Sequence, residues 1–274
     1  MPTRRILRPW TTQPPSVTGV NLAHPSTADL LFLFNGATGV NSVEPAGPRN
    51  RAGSNVLQPG REGTGFLTND SGWWEFQKTQ SKRNAAELSI LLVVAYTRHT
   101  AYDACKLYTG RTWTTDYLGS ECYYDGGNIV AGATGAGNLN LGASAGVGAT
   151  NVVWITWSGT SVRACANGRA DVTGSRSAFN LQNDPQSVVI GCNVNTGFGI
   201  TRGSLLYLGA VWNRALSRTE RDAIGGNPWI LFEPQQIYVP RSAGEAGYTH
   251  PTLSNARMIW TGLGAGKPAI DYTW

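Results

Sequence analysis

The stretch Leu88–Tyr96 is the feature of this sequence that most restricts its fold. All of its residues except Ser89 are apolar, and Ile90, Val93 and Val94 are β-branched. A strand with apolar side chains on both faces needs packing partners on both sides of its sheet. The run is also far shorter than the roughly 18–20 residues of a membrane-spanning helix. We therefore predict a central β-strand in a sheet that is covered on both faces.

The composition favours an all-β protein. Of the 274 residues, 34 are Gly, 14 are Pro and 10 are Trp, and 41% are hydrophobic. Charged residues make up 14%, against roughly 25% in average proteins. Many turn-forming and aromatic residues with few charges are typical of β-sheet proteins and exclude a helical bundle or a coiled coil. The hydrophobic content is high enough for a substantial core.

A β-hairpin and several further strands are predicted downstream. Val152–Trp157 and Ser161–Ala166 alternate around the turn Ser158–Thr160, and Asn167–Gly168 makes the next turn. The segment 126–148 contains eight glycines and is expected to be a flexible loop or a weak strand pair. The other predicted strands are 30–34, 73–76, 187–192 and 205–212.

One helix is predicted, at residues 217–225. Ser217 and Glu220 fit a capping box, in which each side chain bonds the backbone N–H of the other residue. Gly225–Gly226 ends the helix after about two turns. We also expect an extended, Pro-rich N-terminal arm at 1–25, one domain at 26–240 and a C-terminal tail at 241–274.

The positive charge is concentrated in the N-terminal arm. Residues 1–60 contain five Arg and two acidic residues, a net +3 of the total +5. The rest of the chain is nearly neutral and has no basic stripe, which argues against a dedicated nucleic-acid-binding domain. The N-terminal arginines are not followed by an apolar segment of the kind that forms a signal peptide. We therefore expect the protein to be made and used without export through the Sec pathway.

The cysteines and histidines suggest no metal site. Cys105, Cys122, Cys165 and Cys192 form no CxxC pair, and we expect reduced, mostly buried thiols. A Cys165–Cys192 bridge requires neighbouring strands with Cα atoms within about 6 Å, and assembly in a reducing cytosol argues against it. The three histidines are isolated and form no ligand pair.

Candidate catalytic motifs have the wrong context. The nearest candidates for a pair of catalytic acids, Glu121 and Asp125, lie in a predicted loop. They lack the tight spacing of the catalytic carboxylates in jelly-roll glycosidases. Gly142–Gly146 matches a nucleophile elbow around Ser144, but no strong strand precedes it and no helix follows. The Gly-rich segment that ends at Lys267 is similar to a phosphate-binding loop, but it lacks the first glycine of that motif and the Ser or Thr that should follow the lysine. We therefore expect no enzyme activity and no cofactor.

The order of several motifs resembles laminin G-like domains, within the concanavalin A-like jelly-roll superfamily. Asn227–Pro234 is similar to a segment of such domains in structural proteins of tailed bacteriophages, and Arg8–Trp10 with the Pro-rich arm also resembles those proteins. The segment 126–148 has no clear counterpart in the family. The family's strands and short helix are matched by Trp154–Thr160, Ala166–Gly168, Val189–Gly191, Gly203–Val211 and Trp212–Ser217 with Glu220.

The resemblance implies a two-sheet antiparallel jelly-roll sandwich and a non-enzymatic virion protein. We expect a capsid decoration or cement protein that is anchored by its arm and tail and is assembled in the host bacterial cytoplasm. Its expected partners are the major capsid protein or other virion proteins and further copies of the chain, without a membrane or a specific nucleic acid. The alternative is a tail or fibre module that binds a surface carbohydrate.

Two sets of residues are candidates for these contacts. Arg4, Arg5, Arg8 and Trp10 are predicted to bind a partner protein, because they combine charge with a rigid arm. Aromatic residues in or near predicted loops could stack on a sugar, although a place in the core or at a protein interface is the alternative for each. These aromatic candidates are Trp73, Trp74, Trp113, Tyr117, Tyr123 and Tyr124.

Overall fold

The structure is a computed structural model, and its strands are numbered here along the chain. It describes residues 3–8, 10–16, 18–44, 47–48, 50–52, 56–68, 73–76, 87–96, 104–109, 118–125, 127–133, 137–143, 146, 148–175, 188–191, 204–240, 256–259 and 269–272. The strands are β1 Thr3–Arg8, β2 Leu30–Asn35, β3 Val40–Asn41, β4 Asn50–Ala52, β5 Val56–Gly60, β6 Gly63–Thr68, β7 Trp73–Glu75, β8 Glu87–Tyr96, β9 Ala104–Thr109, β10 Leu118–Asp125, β11 Asn128–Ala133, β12 Gly137–Ala143, β13 Thr150–Ser158, β14 Ser161–Ala166, β15 Val172–Ser175, β16 Val188–Gly191, β17 Ser204–Trp212, β18 Gln235–Pro240, β19 Ala256–Ile259 and β20 Ala269–Tyr272.

The chain divides into two compact units. The larger unit is Pro9–Pro234, and the smaller unit combines Met1–Arg8 with Gln235–Trp274. These limits differ from the boundaries expected at residues 25 and 240, since the segment from Pro9 onward belongs to the larger unit. In the smaller unit β1 pairs with β18, and β19 pairs with β20, both antiparallel.

The larger unit contains two antiparallel sheets. The first has nine strands, with β15, β14, β13, β8, β17, β2 and β3 in that order and with β6 and β5 attached beside β17. The second has seven strands in the order β12, β11, β10, β9, β16, β7 and β4. The strand-pair alternative for 126–148 is therefore what the structure contains, as β11 and β12. The prediction of an all-β, two-sheet antiparallel sandwich with one short helix is confirmed.

Strand β8 lies inside the nine-stranded sheet and is covered on both faces, as its sequence predicts. Leu88, Ile90 and Leu92 belong to the core cluster between the two sheets. Leu91 and Val93 alternate with them and belong to a second cluster. This period of two is the geometry of a strand whose successive side chains point to opposite faces.

The second cluster lies on the outer face of the nine-stranded sheet. The helix α1 (Arg218–Gly226) and the 3₁₀ turn Pro228–Leu231 contribute Ile224 and Trp229 to it. Ser217 caps α1 through its hydroxyl, and the Glu220 carboxylate accepts a hydrogen bond from the Ser217 N–H at 2.9 Å. The predicted capping box is confirmed. No helix in the described part of the chain has the length and apolar character to cross a membrane.

The segment after Pro9 also packs on this outer face. The Gln13 amide donates to the Thr64 carbonyl oxygen and accepts from the Thr64 N–H, both at 2.8 Å. The Asn35 side chain donates to the Pro14 carbonyl oxygen at 3.0 Å. The Gln13 side chain thereby makes with the Thr64 backbone the same pair of hydrogen bonds that a neighbouring strand would make. Another 3₁₀ turn, Pro25–Thr27, leads from this segment towards β2.

The described strands do not provide the neighbouring positions that a Cys165–Cys192 bridge would require. Cys165 lies on β14, whose neighbours are β13 and β15. The strand β16, which ends one residue before Cys192, belongs to the other sheet and pairs with β7 and β9. Cys192 itself lies outside the described residues.

Candidate functional site

The predicted partner-binding arginines fall on β1 in the smaller unit. The backbone of Arg4 lies opposite Val239, and that of Arg5 lies opposite Tyr238. The side chains of Arg4 and Arg5 lie outside the described part of the structure. Arg8 is exposed and the neighbouring Leu7 is 55% exposed. Partner binding by these three arginines stays a prediction.

Trp10 lies at the start of the larger unit and bonds within it. Its indole Nε1 donates to the Glu233 carbonyl oxygen at 2.8 Å. Its own carbonyl oxygen accepts from the Asn227 side chain, also at 2.8 Å. The ring is half-buried and packs against the second core cluster. Trp10 thus anchors this segment to the unit, and its contact with a partner protein stays a prediction.

Trp74 is a core residue. This is the alternative to sugar stacking that the sequence left open at this position. It is 5% exposed and lies between the two sheets. Its ring packs edge-to-face on Phe66, with centroids 4.7 Å apart, and on Phe34. The Trp74 ring therefore stacks on protein rings and offers no free face to a sugar.

The remaining aromatic candidates are not described at the side-chain level. Trp113 and Tyr117 lie outside the described residues. Trp73 lies on β7, and Tyr123 and Tyr124 lie on β10, where only their backbone is described. Sugar binding by these five residues stays a prediction.

Ser144 itself lies outside the described residues, between two strands. Strand β12 ends at Ala143, and strand β13 begins at Thr150, whereas an elbow requires a helix after the nucleophile. Glu121 and Asp125, expected in a loop, lie on β10 instead. Among the described residues, no cluster of three His, Cys, Asp or Glu side chains is placed to hold a metal ion.

A charged cluster fixes α1 to the outer face of the nine-stranded sheet. The Arg221 guanidinium is 2% exposed and donates to the two carboxylate oxygens of Asp171, at 2.9 and 2.6 Å. Arg218 donates to the Gly168 carbonyl oxygen at 2.7 Å and to the carboxylate of Asp222 at 2.8 Å. The helix is thereby bonded to the turn that follows β14.

The electrostatics of this cluster keep Asp171 charged and Cys165 neutral. Burial acts to raise the pKa of Asp171, but the hydrogen bonds and charge of Arg221 outweigh it, so the pKa is lowered. Burial raises the pKa of the Cys165 thiol to about 11. At neutral pH Cys165 is therefore a protonated thiol and a weak nucleophile. Its Sγ accepts a hydrogen bond from Arg221 Nη1 at 3.4 Å.

A groove of about 460 Å³ runs beside the same helix; we call it the helix groove. One wall is the end of α1, and the other is the outer face of β13 and β14. A second depression of about 410 Å³ adjoins it and shares Val152 and Gly226. The helix groove is lined by Val152, Trp154, Cys165, Asn167, Gly168, Arg221, Asp222, Gly225 and Gly226.

The helix groove is not predicted by the sequence. Gly225 and Gly226 were interpreted only as the end of the helix, and Trp154 only as a strand residue. Strand alternation contained one usable signal: Val153 and Ile155 belong to the inner core, which places Trp154 on the outer face. The packing of α1 against that face depends on residues about 60 positions away and has no local signature.

Comparisons with known proteins identify a fold. No family model matches the sequence, and no curated protein matches it. A mutant of Trypanosoma rangeli sialidase displaying trans-sialidase activity is similar in structure, with a TM-score of 0.53 and 12% identity. The similarity covers 74% of this chain and 33% of that one.

Two binding domains of toxins are similar to the same extent. The binding domain of Paraclostridial Mosquitocidal Protein 1 has a TM-score of 0.52 and 11% identity, covering 73% of this chain and 52% of that one. The binding domain of botulinum neurotoxin DC in complex with SialylT has a TM-score of 0.51 and 11% identity, with the same coverage. This chain spans between 33% and 52% of the length of these structures. At this identity the similarity shows a shared β-sandwich fold.

Proposed function

We propose that this chain is a non-enzymatic structural protein of a tailed bacteriophage virion, most specifically a capsid decoration protein. The order of its motifs, from the hairpin at β13 and β14 to Asn227–Pro234, supports the proposal, because it resembles such phage domains. The fold supports it as well, since a β-sandwich offers a rigid platform without requiring a catalytic site. The proposed partners are the major capsid protein or other virion proteins and further copies of this chain.

The observation that carries this proposal is the strand pair of the smaller unit. β1 and β18 pair only with each other in the described part of the chain. A two-stranded ribbon is marginally stable alone in water, so further packing would stabilise it. Leu7 and Arg8 on β1 are exposed and provide an apolar and a cationic contact for a partner surface. We propose that this ribbon docks on a capsid subunit.

Co-sedimentation with particles that lack the native protein tests the attachment. Arg8→Glu should reduce binding, because it inverts a charge on the docking strand, and this loss should grow at low salt. Arg163→Glu is the matched control, since Arg163 is an exposed arginine on β14 of the sandwich. Equal binding of both variants and the unmodified protein would refute docking through β1.

Carbohydrate binding is the second candidate function. Two of the similar structures are binding domains, and one of them is in complex with SialylT. The helix groove supplies a concave surface on the sandwich of this chain. A glycan array probed with the full chain tests this function, and the absence of concentration-dependent binding to any glycan would refute it.

A further inference from the structure

We infer that the helix groove and its adjoining depression bind a neutral saccharide. This inference rests on the second proposed function and assigns it to one surface. The two depressions, about 460 and 410 Å³, each fall within the roughly 300–1,000 Å³ typical of small-molecule sites. Both are lined by Val152 and Gly226, so the two depressions are neighbours. We call them together the trough, and they give room for a short chain of sugar rings.

The charges in the trough favour a neutral ligand. Arg221 is paired with Asp171 by two hydrogen bonds, and the Asp222 carboxylate accepts from Arg218. In the helix groove an anion or a cation would therefore have to compete with an ion pair that already exists, and in the adjoining depression the lining carboxylate of Glu62 already accepts from the Thr150 hydroxyl. A neutral polar molecule makes its hydrogen bonds without that competition.

The unused hydrogen-bonding groups favour a ligand with hydroxyl groups. Trp154 Nε1 has no acceptor among the described residues, and its ring is held against Trp212 with centroids 5.6 Å apart. The carbonyl oxygens of Gly225 and Gly226, at the end of α1, accept no hydrogen bond from another described residue. A hydroxyl group both donates and accepts, so one sugar hydroxyl matches an indole N–H and a backbone carbonyl together.

The adjoining depression continues the same chemistry. It is lined by the hydroxyl-bearing residues Thr11 and Thr150, and the Thr150 hydroxyl donates to a Glu62 carboxylate oxygen at 2.9 Å. Trp229 provides an apolar part of the lining. A mixture of apolar rings with a few fixed polar groups is the usual construction of a small-molecule site.

Gly225 provides the perturbation that separates the groove from the fold. A Cβ at Gly225 would lie 3.5 Å from Trp154 Nε1 and 3.8 Å from Val152 Cγ1, in ordinary van der Waals contact. Gly225→Ala should therefore fold, and Ala favours a helix more than Gly does. Its methyl group would nevertheless cover the indole N–H. Thr219→Ala is the matched control, because Thr219 is an exposed residue of α1 that lines neither depression.

The experiment uses lactose, cellotriose and chitotriose as neutral probes and 3′-sialyllactose as the acidic probe. Binding to the full chain is measured by saturation-transfer NMR and by titration of tryptophan fluorescence. We expect saturable binding of at least one neutral probe. Gly225→Ala should weaken it about tenfold, the equivalent of one lost hydrogen bond, and Thr219→Ala should leave it unchanged. Trp154→Phe, which keeps a ring without the N–H, should act like Gly225→Ala.

The outcomes distinguish the groove from the function. If a probe binds and Gly225→Ala and Trp154→Phe both keep its affinity, the groove assignment is refuted while carbohydrate binding stands. If only 3′-sialyllactose binds, the neutral ligand class is refuted. If no probe binds to the unmodified chain and a glycan array is also negative, the inference and the second proposed function fail together. Circular dichroism of each variant shows that the comparison is between folded proteins.

Discussion

Removing the carboxylate of Asp171 should destabilise the larger unit more than removing its partner Arg221. The Arg221 guanidinium is almost fully buried and makes two hydrogen bonds to a carboxylate, both to Asp171. Asp171→Asn leaves this buried cation without a counter-charge. Breaking one partner of a buried pair costs about 3–5 kcal/mol, and we expect about 3 because Asp171 is partly exposed and Asn keeps one acceptor oxygen.

The reciprocal change should cost less. Arg221→Met removes the cation and keeps an unbranched apolar chain against the second core cluster. Asp171 then retains Arg218, whose Nη1 lies 3.2 Å from its carboxylate, and contact with solvent. We expect a loss of about 1 kcal/mol, since an apolar replacement of a buried ion is often close to neutral. The double variant should resemble Arg221→Met, so the two changes should be non-additive by about 3 kcal/mol.

The assay is urea unfolding followed by tryptophan fluorescence, with linear extrapolation of the free energy of unfolding. Arg163→Met is the control, because Arg163 is exposed on β14, and it should change stability by less than about 0.5 kcal/mol. Equal losses for Asp171→Asn and Arg221→Met, or additive losses in the double variant, would refute the argument that the unpaired buried cation dominates.

Three further predictions concern single residues. The Arg214 hydrogen bond and the capping bonds of Ser217 lower the pKa of Glu220 from its ordinary 4.5 to about 2. The stabilising contribution of the Glu220 carboxylate should be complete above pH 4.5 and should be lost as the pH falls through about 2. Glu220→Gln should flatten this acid dependence of the free energy of unfolding. Gln13→Ala should lower that free energy by about 1–3 kcal/mol, because it leaves the Thr64 N–H without its partner, and an unchanged urea midpoint would contradict this. Cys165 should resist iodoacetamide at pH 8 in the folded chain and react after unfolding, as measured by peptide mass mapping.

The elements with strong local patterns were predictable from the sequence. A nearly continuous apolar run identified β8, alternating residues identified the β13–β14 hairpin, and the capping box identified α1. The glycine-rich pair β11 and β12 was only one of two alternatives, because glycine supplies no side-chain pattern to distinguish a strand from a loop.

The pairing of distant segments was not predictable. Thr3 lies opposite Pro240, and nothing in either short segment specifies a partner that far along the chain. The same limit applies to the candidate site. The helix groove exists because α1 packs across β13 and β14, and the charges that fix it come from Asp171 and Arg221, which are 50 positions apart.

The beginning and the end of the larger unit are joined to each other. Trp10 bonds Glu233, the Asn21 N–H donates to the Leu231 carbonyl oxygen at 2.8 Å, and the Glu233 N–H donates to the Gly19 carbonyl oxygen at 2.7 Å. On the ribosome, Trp10, Gly19 and Asn21 would therefore wait without these partners until nearly the whole unit had been synthesised. The last contacts to form during translation would include those of the unit's earliest residues, and the unit would close only after its final segment had emerged.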